Sequence, residues 1–95
     1  MDQLQEMRNQ IDQIDRQIVE LFEQRMDIVC RVAEFKQKQG MPIFQSGREK
    51  AVLEKAKGML HNKEYEQALE SFMTHIMSLS RIQQAKIQTL NKTKP

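Results

Sequence analysis

A chain of 95 residues is one domain's worth of sequence, and its core stays marginal unless a partner chain extends it. Lys plus Arg number 15 against 13 Asp plus Glu, a formal charge of +2 that is too balanced for a nucleic-acid-binding face. The polar start MDQLQEMRNQ lacks an apolar h-region, and no apolar run reaches the ~20 residues of a membrane span, so the expectation is a soluble, cytoplasmic protein without a membrane partner. The single cysteine, Cys30, excludes an intrachain disulfide and fits a reducing compartment. Ala, Leu, Glu, Gln, Lys, Arg and Met dominate, which favours an all-α fold.

The first predicted element is a helix. From Leu4 to Phe35 apolar residues recur at three- and four-residue steps, through Met7, Ile11, Ile14, Ile18, Leu21, Ile28 and Val32. Gly40-Met41-Pro42 closes it with a residue that tolerates left-handed backbone and a helix breaker. At ~1.5 Å per residue such a helix is on the order of 50 Å long, whereas a compact chain of this size has a radius of gyration near ~12 Å. Its apolar stripe must therefore project beyond its own globule, and a second copy is the simplest cover.

Ser46-Gly47-Arg48-Glu49 reads as a capping box opening a shorter helix that ends near Leu60 and His61-Asn62. A third helix begins near Glu64, with an apolar stripe of Tyr65, Leu69, Phe72, Met73, Ile76, Met77 and Leu79 that continues through Ser80 and Gln84 toward Ile87. A polar tail is expected from about Asn91 to Pro95. Met59, Met73 and Met77 are expected as core filler. Neither His61 nor His75 has metal-ligand companions at useful spacing, so no metal site is assigned. With no repeat, low-complexity tract or linker, residues 1–95 read as a single domain of three helices.

Charge falls where apolar residues belong. Positions seven apart lie on nearly one line of a helix, drifting ~20° per heptad. One such line holds Leu4, Ile11, Ile18, Arg25 and Val32, so Arg25 occupies a core position, and Arg8, Asp15 and Lys36 border the same face. A cation buried without a partner costs several kcal/mol, so something anionic must answer Arg25. A structural pair with Asp15 or Glu49 is one answer, and a ligand is the other. Arg8 and Lys36, taken alone, are accounted for by snorkelling to water, Ser80 and Gln84 by a hydrogen bond between helices, and Arg48 and Glu49 by capping. Spacing sharpens the choice. Arg8 and Arg25 are 17 residues apart in sequence, roughly 25 Å along one helix, and cannot share a small ligand within one chain. Two antiparallel copies would bring Arg8 of one chain toward Arg25 and Lys36 of the other, making two composite sites.

The ordered set Met7-Arg8-x2-Ile11-x2-Ile14-Asp15-x2-Ile18-x2-Leu21-x3-Arg25, then Lys36, Pro42, Arg48-Glu49 and Ser80-x3-Gln84, resembles the all-helical chorismate mutase family, over nearly the whole chain from Leu4 to Gln84. The resemblance implies three helices per chain in an intertwined homodimer, with chorismate rearranged to prephenate without a cofactor. It implies that Arg8 of the partner chain, Arg25 and Arg48 hold the substrate carboxylates, a task suited to guanidinium geometry. Lys36 and Gln84 would lie beside the ether oxygen, with Lys36, Gln84 and Arg25 as the catalytic residues. Glu49 would accept from the ring hydroxyl, and Ser80 would help seat a carboxylate. Asp15 is assigned a structural role. Gln45, also counted among the substrate-binding residues, stands where relatives often carry an acid, which leaves the hydroxyl mainly to Glu49.

Two other readings stay open. An isochorismate pyruvate lyase would use a similar scaffold and basic pocket, differing in lid-loop residues, here Gln37 to Gly47. A non-catalytic helical dimerisation or regulatory module would use the first helix's basic residues across an interface. Association with another shikimate-pathway enzyme also stays open.

Overall fold

The computed structural model describes residues 2–93 and contains three α-helices, one short 3-10 turn and, among the described residues, no strand. Helix α1 spans Gln3–Gln39. Asp2 caps it, its side chain accepting from the Leu4 amide at 3.0 Å, where carboxylate charge also suits the helix dipole. Gly40 ends it at φ 67°, donating to the Gln37 carbonyl while the Met41 amide bonds that of Lys36. These two bonds form a Schellman closure, and only glycine adopts that φ without a Cβ penalty.

Helix α2 spans Ser46–Met59 and helix α3 spans Glu66–Lys92. Between them Asn62 caps a 3-10 turn over Lys63–Tyr65, its side chain accepting from the Glu64 amide at 3.0 Å. The third helix thus starts through a tighter turn where an α-helix from about Glu64 was expected. The expected capping box does not form. Gln45 occupies the N-cap position without a side-chain cap bond, and the Glu49 carboxylate turns instead to Arg81. The expected polar tail is also shorter. Asn91 and Lys92 are helical, and Asn91 Nδ2 reaches the Gln37 side chain at 3.4 Å, holding the last turn of α3 against α1. Lys94 and Pro95 lie outside the described residues.

Both other helices pack on α3. The carboxy-terminal part of α1 runs parallel to that of α3, fastened by a reciprocal glutamine pair: Gln37 donates to the Gln88 carbonyl at 3.0 Å and Gln88 to the Ala33 carbonyl at 2.9 Å. Ala33, wholly buried, is where a small side chain lets these helices approach. Helix α2 returns antiparallel along α3, spanned by Lys57–Glu70 at one end and Glu49–Arg81 at the other. Ala56 and Met77 complete the buried apolar set, while Met59 is exposed, contrary to its expected place in the core.

The molecule is 60 × 29 × 14 Å with a radius of gyration of 17.1 Å, well beyond the ~12 Å of a compact chain of this length. The amino-terminal part of α1 causes the excess. Leu4, Met7, Ile11, Ile14, Ile18 and Leu21 form the predicted apolar stripe, yet all lie between 46% and 62% exposed. An uncovered stripe of this length is far larger than scattered surface hydrophobics on a monomer require.

Candidate active site

Three of the predicted basic positions, Arg25, Lys36 and Arg48, meet in a cleft of about 400 Å³ between α1 and α2, floored by α3. Helix α1 supplies Arg25, Ile28, Val29, Val32 and Lys36, which its 3.6-residue period places on one face. The 41–45 loop supplies Ile43 and Gln45, α2 supplies Arg48, Glu49 and Val52, and α3 supplies Met77, Ser80 and Gln84. Every site residue expected from the sequence therefore lines this cleft except Arg8. That residue lies exposed on the uncovered part of α1, roughly 25 Å from Arg25 along the helix. The lid-loop segment expected at residues 37–47 is shorter, because Gln37–Gln39 close α1 and Ser46 and Gly47 open α2.

Lys36 is buried in the wall of the cleft. Its ammonium donates to the Ile43 carbonyl at 2.8 Å and to Gln84 Oε1 at 2.9 Å, so it ties the loop to the floor and uses two of its three donors. A lysine can only donate, which fixes the orientation of the Gln84 amide: the oxygen faces Lys36 and the NH2 group is left to donate. An ammonium and a neutral amide thus offer adjacent donors at one spot. Burial lowers the Lys36 pKa below the ordinary lysine value of 10.5, and the Glu49 carboxylate offsets part of that shift.

Arg25 Nη1 donates to Ser80 Oγ at 2.5 Å, and Ser80 donates its own proton to the Ile76 carbonyl at 2.8 Å. Ser80 therefore orients Arg25, its hydroxyl proton being engaged by the backbone one turn earlier. Neither structural pair anticipated for Arg25 forms. The ion pairs among the described residues are Lys57–Glu70 and Arg81–Glu49, and Asp15 lies exposed about 15 Å up the helix from Arg25. The half-buried guanidinium keeps N–H donors beyond the one bonded to Ser80.

Arg81 is the residue that the sequence reading missed. It pairs with Glu49 and lies over the Phe44 ring at 5.2 Å from the centroid. A signal was present: four residues after Met77 and three before Gln84, it sits beside the buried face of α3, as Arg25 does on α1. With Glu49 so engaged, Arg25, Lys36 and Arg48 leave the cleft a net excess of positive charge, suited to a small molecule carrying more than one carboxylate.

Comparison with known proteins assigns the chain to a family. The model of the family described as chorismate mutase type II matches residues 7–85, a range that contains Arg8, the whole cleft and Arg81. The chain belongs to this family. The chorismate mutase of Methanocaldococcus jannaschii is 30% identical over 99% of this chain and 98% of its own length. The T-protein of Haemophilus influenzae is 37% identical over 57% of this chain, and the bifunctional chorismate mutase/prephenate dehydratase of Aquifex aeolicus 38% over 58%. The matched part is only 14% and 15% of the length of those two proteins. A further relative, 32% identical over 57% of the chain and 52% of its own length, is the 4-amino-4-deoxychorismate mutase of Streptomyces venezuelae. No solved structure gives a significant match. Of the residues whose spacing first suggested the resemblance, Arg25, Lys36, Arg48, Glu49, Ser80 and Gln84 line the cleft.

Proposed function

We propose that this chain is a chorismate mutase of aromatic amino acid biosynthesis, converting chorismate to prephenate as a homodimer with two sites shared between chains. The observation that carries the reading is the convergence of Arg25, Lys36 and Gln84 on one cleft, with a cation and an amide presented as adjacent donors. A Claisen rearrangement is one concerted step, breaking the ether C–O bond as a new C–C bond forms. The protein's contribution is to hold a compact conformer and to place donors where charge develops. Arg25 and Arg48 bind the carboxylates, Lys36 and Gln84 donate to the ether oxygen, and Glu49 accepts from the ring hydroxyl.

Two features support a shared site. Arg8 is too far from Arg25 to meet the same ligand in one chain, and the stripe that carries it is uncovered. Antiparallel packing of two α1 helices covers the stripe and delivers Arg8 to the partner's cleft. A cytoplasmic location accords with the free thiol of Cys30. The bifunctional Aquifex relative makes a working association with another shikimate-pathway enzyme part of the same reading.

The test is to follow chorismate spectroscopically, identify products by chromatography and run isochorismate alongside. Prephenate from chorismate is the expected result. Salicylate and pyruvate from isochorismate alone would move the assignment to a lyase, and no turnover of either, with no thermal stabilisation by chorismate, would leave a non-catalytic helical module.

The pH dependence has a defined shape. Lys36 must keep its proton to donate, and its pKa in the free enzyme is below 10.5, so kcat/KM falls on the alkaline side with a midpoint below that value. A bound dianion favours the charged lysine, which moves the corresponding fall in kcat to higher pH. Gln84 does not titrate, so no acid requirement is expected. Activity confined to acid, or a kcat/KM profile flat up to pH 10.5, would contradict these assignments.

A further inference from the structure

Glu49 faces the cleft, but its charge is answered from behind. Both carboxylate oxygens lie 2.5 Å from Arg81 Nη1. Arg81 does not line the cleft. It borders the groove on the outer face of α3, beside Glu70, Thr74 and Ser78. Its guanidinium rests on Phe44, the neighbour of Gln45, so the pair is held between the 41–45 loop and two helices. Glu49 and Arg81 have side chains 23% and 33% exposed, partly withdrawn from the screening of bulk water.

A carboxylate paired in this way accepts hydrogen bonds and has lone pairs left after the two that Arg81 engages. It can take a proton donor from a ligand, but it brings no uncompensated negative charge. Around it stand Arg81 and Arg48, both cationic, and Gln45, which is neutral. A neutral hydroxyl meets an oriented acceptor there. An ammonium group meets an acceptor whose charge is already cancelled and a second cation close by.

We propose that Arg81 is a positioning and specificity-determining residue: it orients Glu49 to accept from a ring hydroxyl and, by its charge, disfavours substrates carrying an ammonium group at that ring position. This rests on the mutase reading above. Like charges separated by one carboxylate, in surroundings of intermediate dielectric, correspond to about tenfold discrimination.

The experiment measures kcat/KM for chorismate and for its 4-amino-4-deoxy analogue, at neutral pH where the amine is protonated, in the wild type, Arg81→Met and Arg81→Lys. The wild type is expected to favour chorismate. Arg81→Met should shift the ratio toward the amine by about tenfold, chiefly through KM, whereas Arg81→Lys, which keeps the charge, should hold the ratio within about threefold. Loss of folded protein lowers both values alike and leaves the ratio unchanged, so a merely structural role would not move it. A ratio altered less than twofold in Arg81→Met, or altered equally in Arg81→Lys, would overturn the role of Arg81 alone. Absence of chorismate turnover in the wild type would overturn the mutase reading and this inference with it.

Discussion

Replacing Lys36 with Met is expected to lower kcat for chorismate by about a hundred- to a thousandfold, the scale seen when one donor to a developing negative charge is removed. Methionine fills a similar volume, so the loss isolates the ammonium from its packing. Two secondary consequences follow from the contacts. The Ile43 carbonyl and Gln84 Oε1 lose their donor, so the loop over residues 41–45 is less firmly tied and KM should rise as well. Stability should change little, and the sign of the pKa shift says why. The folded state lowers the lysine pKa, so the charged form is disfavoured by folding at all pH values below that lowered pKa, and the cost fades as pH rises toward 10.5. Removing the ammonium lifts that cost, which offsets the two lost hydrogen bonds. Activity within tenfold of the wild type in Lys36→Met would show that the buried ammonium is not used as a donor.

Arg25→Ala should remove activity on a comparable scale, about a thousandfold in kcat/KM, while far-ultraviolet circular dichroism keeps its helical signal. Arg25 is half-buried, and among the described residues it carries no ion pair and its one side-chain hydrogen bond is to Ser80. Truncation leaves Ser80 Oγ without that donor, yet the hydroxyl keeps its bond to the Ile76 carbonyl, so α3 should be undisturbed. Near wild-type turnover would mean that the core-position arginine is structural and the carboxylates are held elsewhere.

Much of this site was legible in the sequence because it is written in helical spacing. Arg25 and Lys36, eleven apart, are three turns along one face, and Ser80 and Gln84 are one turn apart on another, so elementary periodicity groups each pair before any tertiary contact is known. The end of α1 was legible for a similarly local reason, since Gly40 and Pro42 act through their own backbones. What was not legible depended on a choice between partners. Glu49 could cap α2 or pair across to α3, and local sequence favours the cap, whereas a guanidinium at hydrogen-bonding distance prevails in the fold. The extension of α3 through Asn91 and Lys92 has the same character: the polar residues suggest a tail, but contact with Gln37 on α1 keeps the turn wound. Arg8 marks the remaining limit. Its position on α1 follows from the sequence, but its use depends on what covers an apolar stripe that one chain leaves open.

That cover is where the account is most exposed to test. Arg8→Ala and Arg25→Ala chains, each inactive alone, should be mixed under conditions of subunit exchange, with heterodimers verified by mass spectrometry. If each site takes Arg25 from one chain and Arg8 from the other, a heterodimer has one site missing both arginines and one intact. Random exchange then restores about a quarter of wild-type activity. Proven heterodimers with no more activity than the two parents would contradict a site shared between chains.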